Sequence, residues 1–300
     1  MSSLEDRLLF AIPKKGRLYE TCTKMLEKIG LKFNRKPRHD LAVVSNMPVL
    51  LVFLPASDIP TYVAEGSVDM GITGLDFVSE NRVEDKVNQI LELGFGQCRL
   101  QVAVPRVKTL QATAEEVIAS LIGGRVVTSF PWLTRKYFAE LEKTTPEEIS
   151  TKIVYVSGSV EAACGLGLAD GIVDLVDTGE TLEAVGLVPV GTLLSTQAML
   201  ISNQSSKRSD LIEVLKLRIQ GVINASKYVF CQYNVEKHNM EEAVAITPGK
   251  KAPNVTTLDK TNWVSINVMI AKAELAEAMD RLSAVGATDI LVMALDNCRV

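Results

Sequence analysis

Histidine and cysteine are scarce in this chain, and their scarcity limits the chemistry it can perform. The 300 residues include two histidines and five cysteines. The cysteines are Cys22, Cys98, Cys164, Cys231 and Cys298. Because they are odd in number, scattered and never spaced as CxxC, we expect neither a disulfide framework nor a zinc site. This usage is typical of a reducing compartment, so we expect a cytosolic protein.

The usual nucleophile–base pairs are missing as well. Cys98 and Cys164 lie near polar motifs, but no histidine stands beside either one. We therefore interpret both as small buried hydrophobic residues. His39 and His238 are not placed like catalytic bases, and we expect surface or packing roles for them.

Long apolar runs and a strong net charge are also absent. No stretch reaches the ~18 uninterrupted apolar residues of a membrane helix. The N-terminal sequence MSSLEDRLLFAIPKKGR lacks the basic start and long apolar core of a signal peptide. The net charge of −4 gives no reason to expect nucleic acid or a membrane as partner. Any anionic ligand must be held by local groups.

Two nucleotide-binding signatures are missing. The segment PGKKAP lacks the glycine spacing and the Ser/Thr after lysine of a Walker A loop. The glycines of GLGLADG follow a helix-like stretch, and GFGQC lies between two strands, so neither matches a dinucleotide-binding turn.

Apolar strands that alternate with helical segments fill the first two hundred residues. The predicted strands are LLFAI, LAVVS, VLLVFL, VDMGIT, ILELGF, LQVAVP, RVVTSF, KIVYVS and GIVDLV. The helix-like segments between them are SDIPTYVAEG, AEEVIASLIG, WLTRKYFAELEK and SVEAACGLGLA. This alternation predicts an α/β part with parallel sheets and helices on both faces.

The pattern changes near residue 205. NQSSKRSD has the character of a polar linker, and an amphipathic helix follows from Leu211 to Ile223. The remaining segments are VFCQYNV, MEEAVAI, NVTTL, WVSINVMIA, AELAEAMDRLSAVG and DILVMAL. Their order, βαββαβ, predicts a ferredoxin-like α+β appendage.

The stretch IVDLVDTGETLEAVGL, residues 172–187, places carboxylates in an otherwise apolar strand. Asp174 and Asp177 stand at its end, where they would be costly unless paired. They could accept hydrogen bonds from ribose hydroxyls or from metal-bound water. Thr178, Gly179, Glu180 and Thr181 follow, just before a helical segment. Such a turn can cradle phosphate at a helix N-terminus, although a simple helix cap explains it equally well.

Other strand ends carry similar groups. Lys14, Lys15, Gly16 and Arg17 follow the first strand, and three cations around a glycine favour an anion site. Further polar groups end two other strands, in VDMGITGLD and VSGSVE: Asp69, Gly71, Thr73, Gly74 and Asp76, then Ser157, Gly158, Ser159 and Glu161. Several such turns in one chain suggest a large polyanionic substrate, or two substrates.

From about residue 7 to Val300 the chain resembles ATP phosphoribosyltransferases of the long form, which carry a C-terminal regulatory domain. The resemblance rests on AIPKKGRL, VDMGITGLD, LGFGQCRLQVAVP, VSGSVEAACGLGLADGIVDLVDTGETLEAVGL and AITPGKKAP. Their order and spacing make a chance match implausible, and fungal members are the most similar. A two-lobed binding protein without catalysis is the main alternative, but such proteins are normally exported.

The resemblance implies the first reaction of histidine biosynthesis. Phosphoribosyl pyrophosphate would place a phosphate on the loop from Asp177 to Leu182 and its ribose near Asp174 and Glu161. Adenine N1 of ATP would displace pyrophosphate with Mg²⁺ assistance. N1 is unprotonated near neutral pH, so no strong base is needed, and catalysis would come from positioning and charge stabilisation. The cations expected to act are Lys14, Arg17 and Arg99. Asp69, Thr73 and Gly74 complete the expected substrate site.

The family differs from phosphoribosyltransferases that carry two adjacent acids, since Leu175 and Val176 separate the acids here. The resemblance implies a two-lobed catalytic part similar to periplasmic binding proteins, with the site between the lobes. We expect residues 1–98 and 183–220 to form the first lobe, 99–182 the second, and 221–300 the regulatory domain.

The resemblance also implies feedback inhibition by histidine and dimers that associate into a hexamer. The matching effector positions are Asn234, Ala252, Asn254, Met269 and Asp289. Asn234 replaces an acidic residue of some members, which leaves open how the imidazole is held.

Overall fold

The computed structural model describes residues 6–36 and 38–299, and they form two compact units. The first unit comprises the chain through Thr23 together with Lys32–Ile212. The second comprises Lys24–Leu31 and the chain from Glu213 onward. Among the described residues, no helix has the length and apolar character needed to cross a membrane.

Strands and helices alternate along most of the described chain. The strands are β1 (Leu8–Pro13), β2 (Leu41–Val43), β3 (Val49–Leu54), β4 (Met70–Gly74), β5 (Val87–Glu92), β6 (Cys98–Pro105), β7 (Arg125–Thr128), β8 (Lys152–Tyr155), β9 (Gly171–Val176), β10 (Leu187–Thr196), β11 (Ala198–Asn203), β12 (Tyr228–Glu236), β13 (Asn254–Thr257), β14 (Trp263–Ala271) and β15 (Thr288–Ala294). The helices are α1 (Gly16–Lys28), α2 (Ile59–Ala64), α3 (Leu75–Glu80), α4 (Ala114–Ala119), α5 (Pro131–Glu142), α6 (Ala162–Gly165), α7 (Glu180–Ala184), α8 (Ser209–Lys227), α9 (Met240–Ile246) and α10 (Leu275–Ala284).

Local sequence fixes several helix ends. Helix α4 begins with a capping box in which Thr113 and Glu116 satisfy each other's backbone N–H groups. Helix α5 begins at Pro131, whose fixed φ suits the first helical position. The residue that caps its C-terminus, Lys143, is in the left-handed region. Helix α6 covers only four residues of the predicted segment SVEAACGLGLA, because Gly167 adopts a φ of +67° soon after it.

The first unit contains two mixed sheets. The first sheet has the order β2-β3-β1-β4-β11-β5, and the second has the order β10-β6-β9-β7-β8. The strands β3, β1 and β4 are parallel, as are β9, β7 and β8, while β2, β6, β10 and β11 pair antiparallel to their neighbours. The α/β, two-lobed prediction is confirmed, but the prediction of wholly parallel sheets is wrong.

Strands β10 and β11 account for most of that difference. Strand β10 contains Pro189 and Gly191, which normally interrupt strands, and its pairing with β6 shifts register at two places. A proline is tolerated there because β10 is an edge strand. Since β10 pairs in the second sheet, the assignment of all of 183–220 to the first lobe is wrong for Leu187–Thr196.

The second unit holds the antiparallel sheet β13-β14-β12-β15. Alternate residues of β12 are buried, and Cys231, Tyr233 and Val235 pack in one core with Ala243 of α9 and Leu282 of α10. The order β12-α9-β13-β14-α10-β15 confirms the ferredoxin-like prediction. The division between the two units falls between Ile212 and Glu213, inside helix α8, and not at the predicted boundary, residue 221.

Candidate active site

Asp174 lies in β9, between β6 and β7 in the second sheet. It is opposite Gln101 of β6, and its Oδ1 accepts a hydrogen bond from the Leu175 N–H at 2.8 Å. Burial raises the pKa of Asp174 to about 6, and the charge of Glu161 acts in the same direction against the Leu175 hydrogen bond. The carboxylate is therefore close enough to Glu161 for that charge to raise its pKa.

The turn after β9 has the backbone conformation that an anion site needs. Gly179 has a φ of +86° and lies directly before α7. The side chains of Thr178, Glu180 and Thr181 are exposed, while Leu182 is packed into the core of the second sheet. For Leu182, only the backbone N–H remains for a ligand. The first N–H groups of a helix lack intrahelical partners, so this turn presents donors to solvent.

One ion pair joins the ends of the two sheets. Arg17, at the start of α1 after β1, donates from Nη1 to Oδ2 of Asp177 at 2.8 Å. The two side chains remain 88% and 58% exposed, so the contact is available to a ligand. Lys14 is anchored by its backbone to β3, with its N–H on the Leu54 carbonyl at 2.8 Å, and its side chain is half-buried.

A cavity of about 450 Å³ lies between these strand ends. Its lining residues are Arg17, Leu18, Thr21, Gly74, Asp76, Phe77, Phe95, Gly96, Gln97, Cys98, Leu175, Asp177 and Ala198. A second cavity, of about 370 Å³, shares Gln97, Cys98 and Asp177 with it and adds Arg99. The structure thus brings Arg17, Gly74, Arg99 and Asp177 to one cleft.

Asp69 and Thr73, two of the predicted substrate residues, lie outside the cleft and make structural contacts. Asp69 immediately precedes β4 and therefore lies at the opposite end of that strand from Gly74. Its carboxylate accepts hydrogen bonds from the Leu9 N–H at 2.8 Å and the Ser206 hydroxyl at 2.6 Å. The prediction that Asp69 binds substrate is corrected to a structural role. Thr73 is fully buried, and its hydroxyl donates to the Ala56 carbonyl at 2.7 Å.

Asp76 belongs to the motif VDMGITGLD but not to the predicted substrate site. Its side chain is 2% exposed, and Oδ1 accepts the Thr196 hydroxyl at 2.6 Å. Among the described residues, Oδ2 has no hydrogen-bond partner. Burial raises the pKa of Asp76, while the Thr196 hydrogen bond and the amides at the start of α3 oppose that shift. An acid in the first turn of a short helix after GITG was the signal available in the sequence.

Cys98 lines both parts of the cleft, yet its thiol is poorly suited to nucleophilic chemistry. Burial, together with the nearby charges of Asp76, Asp177 and Asp174, raises its pKa to about 11. A thiol with this pKa stays protonated at neutral pH. The interpretation of Cys98 as a packing residue is consistent with this environment.

Four of the five predicted effector residues lie on the strands of the second unit: Asn234, Asn254, Met269 and Asp289. Asn234 of β12 donates from Nδ2 to Oδ2 of Asp289 at 2.9 Å, and Asp289 has a φ of +50° at a bulge in β15. Asn254 of β13 is opposite Asn267, and Met269 is opposite Phe230. Ala252 lies in the loop before β13. Asn234 and Asp289 are in contact, whereas Met269 lies several residues further along the strands.

Comparisons with known proteins agree with this geometry. The family model described as ATP phosphoribosyltransferase matches residues 55–221, and the model of the HisG C-terminal domain matches residues 225–297. The chain is 47% identical to the ATP phosphoribosyltransferase of Candida glabrata over 100% of its own length and 99% of the relative's. It is also 47% identical to the enzyme of Schizosaccharomyces pombe, with the same coverage.

A solved structure supports the same relationship. The ATP phosphoribosyl transferase (HisG:HisZ) complex from Thermotoga maritima contains a chain with 28% identity and a TM-score of 0.59. The alignment covers 72% of this chain and 98% of that one. These matches define the chain as a pentosyltransferase. The chain belongs to the ATP phosphoribosyltransferase family and catalyses the first step of histidine biosynthesis.

Proposed function

We propose that phosphoribosyl pyrophosphate and ATP meet in the cleft between the two sheets of the first unit. The observation that carries this assignment is the Arg17–Asp177 pair at 2.8 Å. It places a cation from the first sheet beside the anion-binding turn of the second. The 5′-phosphate binds the N–H groups and hydroxyls of the turn from Thr178 to Leu182, because that turn offers hydrogen-bond donors at a helix N-terminus.

The carboxylates around this turn bind the ribose hydroxyls. Asp177 is exposed at the cleft, and Asp174 and Glu161 are close enough for the charge of one to raise the pKa of the other. Carboxylates accept hydrogen bonds from sugar hydroxyls, which replace the water lost on binding. When ribose hydroxyls arrive, they relieve the repulsion between Asp174 and Glu161.

The reaction itself needs orientation more than proton transfer. The lone pair of adenine N1 forms the bond to the anomeric carbon, and pyrophosphate leaves with the electron pair of the bond that breaks. Lys14, Arg17 and Arg99 stabilise the negative charge on the departing group. The raised pKa of Cys98 fits this scheme, since no nucleophilic side chain is required.

The donor set suits Mg²⁺ held mainly by the substrate. In residues 6–36 and 38–299, no group of three or more His, Cys, Asp and Glu side chains is arranged to hold a metal ion alone. Mg²⁺ commonly binds one or two carboxylates together with substrate phosphates and water. Asp177, Asp174 and Glu161 are the carboxylates that would hold it, and Mg²⁺ when bound would neutralise charge on the pyrophosphate.

The second unit is proposed to bind histidine as an inhibitor. Asn234 and Asp289 form a polar pair on an open sheet face that also carries Asn254 and Met269. An imidazole and an amino group can both donate to the Asp289 carboxylate. We further propose a cytoplasmic enzyme that assembles from dimers into a hexamer, and all five cysteines are free thiols, as a reducing compartment requires.

The assignment is tested by ultraviolet detection of phosphoribosyl-ATP from ATP, phosphoribosyl pyrophosphate and Mg²⁺. The double substitution Asp174→Asn with Asp177→Asn should weaken use of phosphoribosyl pyrophosphate far more than binding of ATP. Asp85→Asn, an exposed carboxylate of the same unit outside the cleft, is the matched control and should behave as the wild type. An equal loss for both substrates would show that the turn is structural.

A further inference from the structure

Helix α3 leaves the first sheet but makes its polar and aromatic contacts with parts of the chain that belong to the second sheet. It follows β4 directly, and Asp76, Phe77 and Glu80 of this helix each contact residues of or beside that second sheet. Positions 76 and 80 are one helical turn apart, so their side chains lie on the same face. The short helix therefore joins the two halves of the cleft.

Glu80 makes the most specific of these contacts. Its two carboxylate oxygens accept hydrogen bonds from the Trp132 N–H at 2.8 Å and the Leu133 N–H at 3.0 Å. These N–H groups belong to the first turn of α5. The N–H groups of a first turn have no acceptor within their own helix. A carboxylate at that position also interacts favourably with the helix dipole. Glu80 thus caps a helix of the second half from the first half.

Aromatic and cationic contacts extend the same junction. The Phe77 ring stacks on Phe130, with centroids 5.2 Å apart and an interplanar angle of 24°. The Arg82 guanidinium lies over the Trp132 ring, 4.1 Å from its centroid. Phe130 is almost fully buried, whereas Phe77 and Trp132 are partly exposed, so the apolar part of the junction is centred on Phe130.

The start of α3 also holds the segment where the chain returns to the first sheet. Leu75 donates its N–H to the Gln197 carbonyl at 3.0 Å, and the Asp76 N–H donates to the Thr196 hydroxyl at 3.0 Å. Thr196 ends β10 of the second sheet, and Ala198 begins β11 of the first. Helix α3 is therefore attached both to α5 and to the crossing between the sheets.

We propose that α3 is a brace that sets the spacing of the cleft, and that Glu80 is a positioning residue for phosphoribosyl transfer. The inference rests on the proposed function, which places the two substrates between the sheets. Arg17 belongs to the half of the cleft built on the first sheet, and the phosphate-binding turn belongs to the half built on the second. Bond formation requires the reacting atoms to lie ~3–3.5 Å apart, so a small tilt of one half reduces the rate.

The chain offers a matched control for Glu80. Glu142, at the end of α5, also accepts backbone hydrogen bonds with its carboxylate. Its Oε1 receives the Thr151 N–H at 3.1 Å and the Thr151 hydroxyl at 2.6 Å, and its Oε2 receives the Ser150 N–H. All of these groups lie within the second half. Glu142→Ala removes the same kind of contact without releasing one half from the other.

The experiment compares Glu80→Ala, Glu80→Gln and Glu142→Ala in the full chain. Thermal unfolding, kcat, the KM of each substrate and calorimetric binding of phosphoribosyl pyrophosphate are measured for each variant. Both alanine variants should unfold at lower temperature. Only Glu80→Ala should lose kcat, by about tenfold to a hundredfold, with binding of phosphoribosyl pyrophosphate within twofold of the wild type. Glu80→Gln retains an acceptor oxygen and should recover part of the rate.

Tryptophan fluorescence provides an independent readout of the junction. The chain has two tryptophans, and in a Trp263→Phe background the emission comes from Trp132. Glu80→Ala should shift that emission, and Glu142→Ala should leave it unchanged. Equal loss of kcat in the two alanine variants, or an unchanged kcat with shifted emission, would overturn the brace. If Glu80→Ala fails to fold, the kcat and the Trp132 emission of Glu80→Gln are compared with those of Glu142→Ala, and the same outcomes decide the question.

Failure of the brace differs from failure of the proposed site. The site fails if the Asp174→Asn, Asp177→Asn double variant still binds phosphoribosyl pyrophosphate as the wild type does. The brace is contradicted if the Glu80 and Glu142 alanine variants lose kcat equally. That comparison does not depend on the binding of phosphoribosyl pyrophosphate by the double variant.

Discussion

The two regions proposed to bind small molecules are built on different principles. After β9, the anion site is formed by backbone, since Gly179 at a φ of +86° turns the chain so that a helix N-terminus faces solvent. On the open face of β12, β13 and β14, the backbone is already paired in the sheet, and only side chains such as Asn234 and Asn254 remain for a ligand. The first region recognises phosphate as a class, while the second depends on the identity of a few side chains.

The largest effect is expected at the backbone-built site. Thr181→Ala removes one preorganised hydroxyl donor from the turn and should cost about 2–4 kcal/mol of transition-state stabilisation. Steady-state kinetics with varied phosphoribosyl pyrophosphate, together with ATP binding by calorimetry, measure the effect. ATP binding should remain near the wild-type value, and a loss of the same size there would remove the distinction between the two regions.

At the side-chain-built site, the expected effect is a loss of regulation. Replacing both Asp289 and Asn254 by alanine should abolish histidine binding in calorimetry and relieve inhibition. A typical coupling between an effector and a distant site is ~1–3 kcal/mol, and by reciprocity both measurements must change together. Variants that lose turnover and still bind histidine would locate the sensor elsewhere.

A smaller effect is expected at Asp174. Its pKa is raised from the ordinary value of 3.8 to about 6, so the folded protein loses stability as pH rises from about 4 to about 6, where the unfolded carboxyl ionises and the folded one does not. Asp174→Asn should therefore be more stable than the wild type at pH 8, by about 1–2 kcal/mol, and nearly equal to it at pH 4. Denaturant unfolding at the two pH values checks this, and a destabilised variant at pH 8 would contradict the assigned burial.

The smallest effect is expected for Asp177. Its ion pair with Arg17 is exposed on both sides, and exposed pairs contribute at most about 1 kcal/mol to stability. Asp177→Asn should change the free energy of unfolding by less than that amount while it weakens use of phosphoribosyl pyrophosphate. A loss of several kcal/mol in urea unfolding would make the pair a structural element of the cleft.

Sequence reasoning worked best where residue periodicity and burial coincide. In the second unit, β12 alternates buried and partly exposed residues along its whole length, and every predicted segment from VFCQYNV to DILVMAL became the expected element. In the first unit, β10 carries Pro189 and Gly191, and its register shifts blur the alternation. The strand is held by pairing with β6, which no local pattern reveals.

Site residues divide in a similar way. The turn from Asp177 to Thr181 could be predicted because glycine, hydroxyl groups and a following helix stand together in the chain. Asp69 looked similar in sequence, but its position before β4 places it at the other end of the strand. The role of Glu80 could not be predicted, because its partners Trp132 and Leu133 lie more than fifty residues away and contribute backbone groups.

The place of β11 in the first sheet has a consequence for how the chain folds. Strand β11 lies between β4 and β5, although it follows the whole second sheet in sequence. During synthesis, β4 and β5 therefore emerge as unpaired edges and must wait for residues 198–203 before the sheet can close. Pairings of such long sequence separation form slowly, and open edges expose a nascent chain to aggregation. Completion of the first sheet is thus a late event in folding, dependent on residues made after the second sheet.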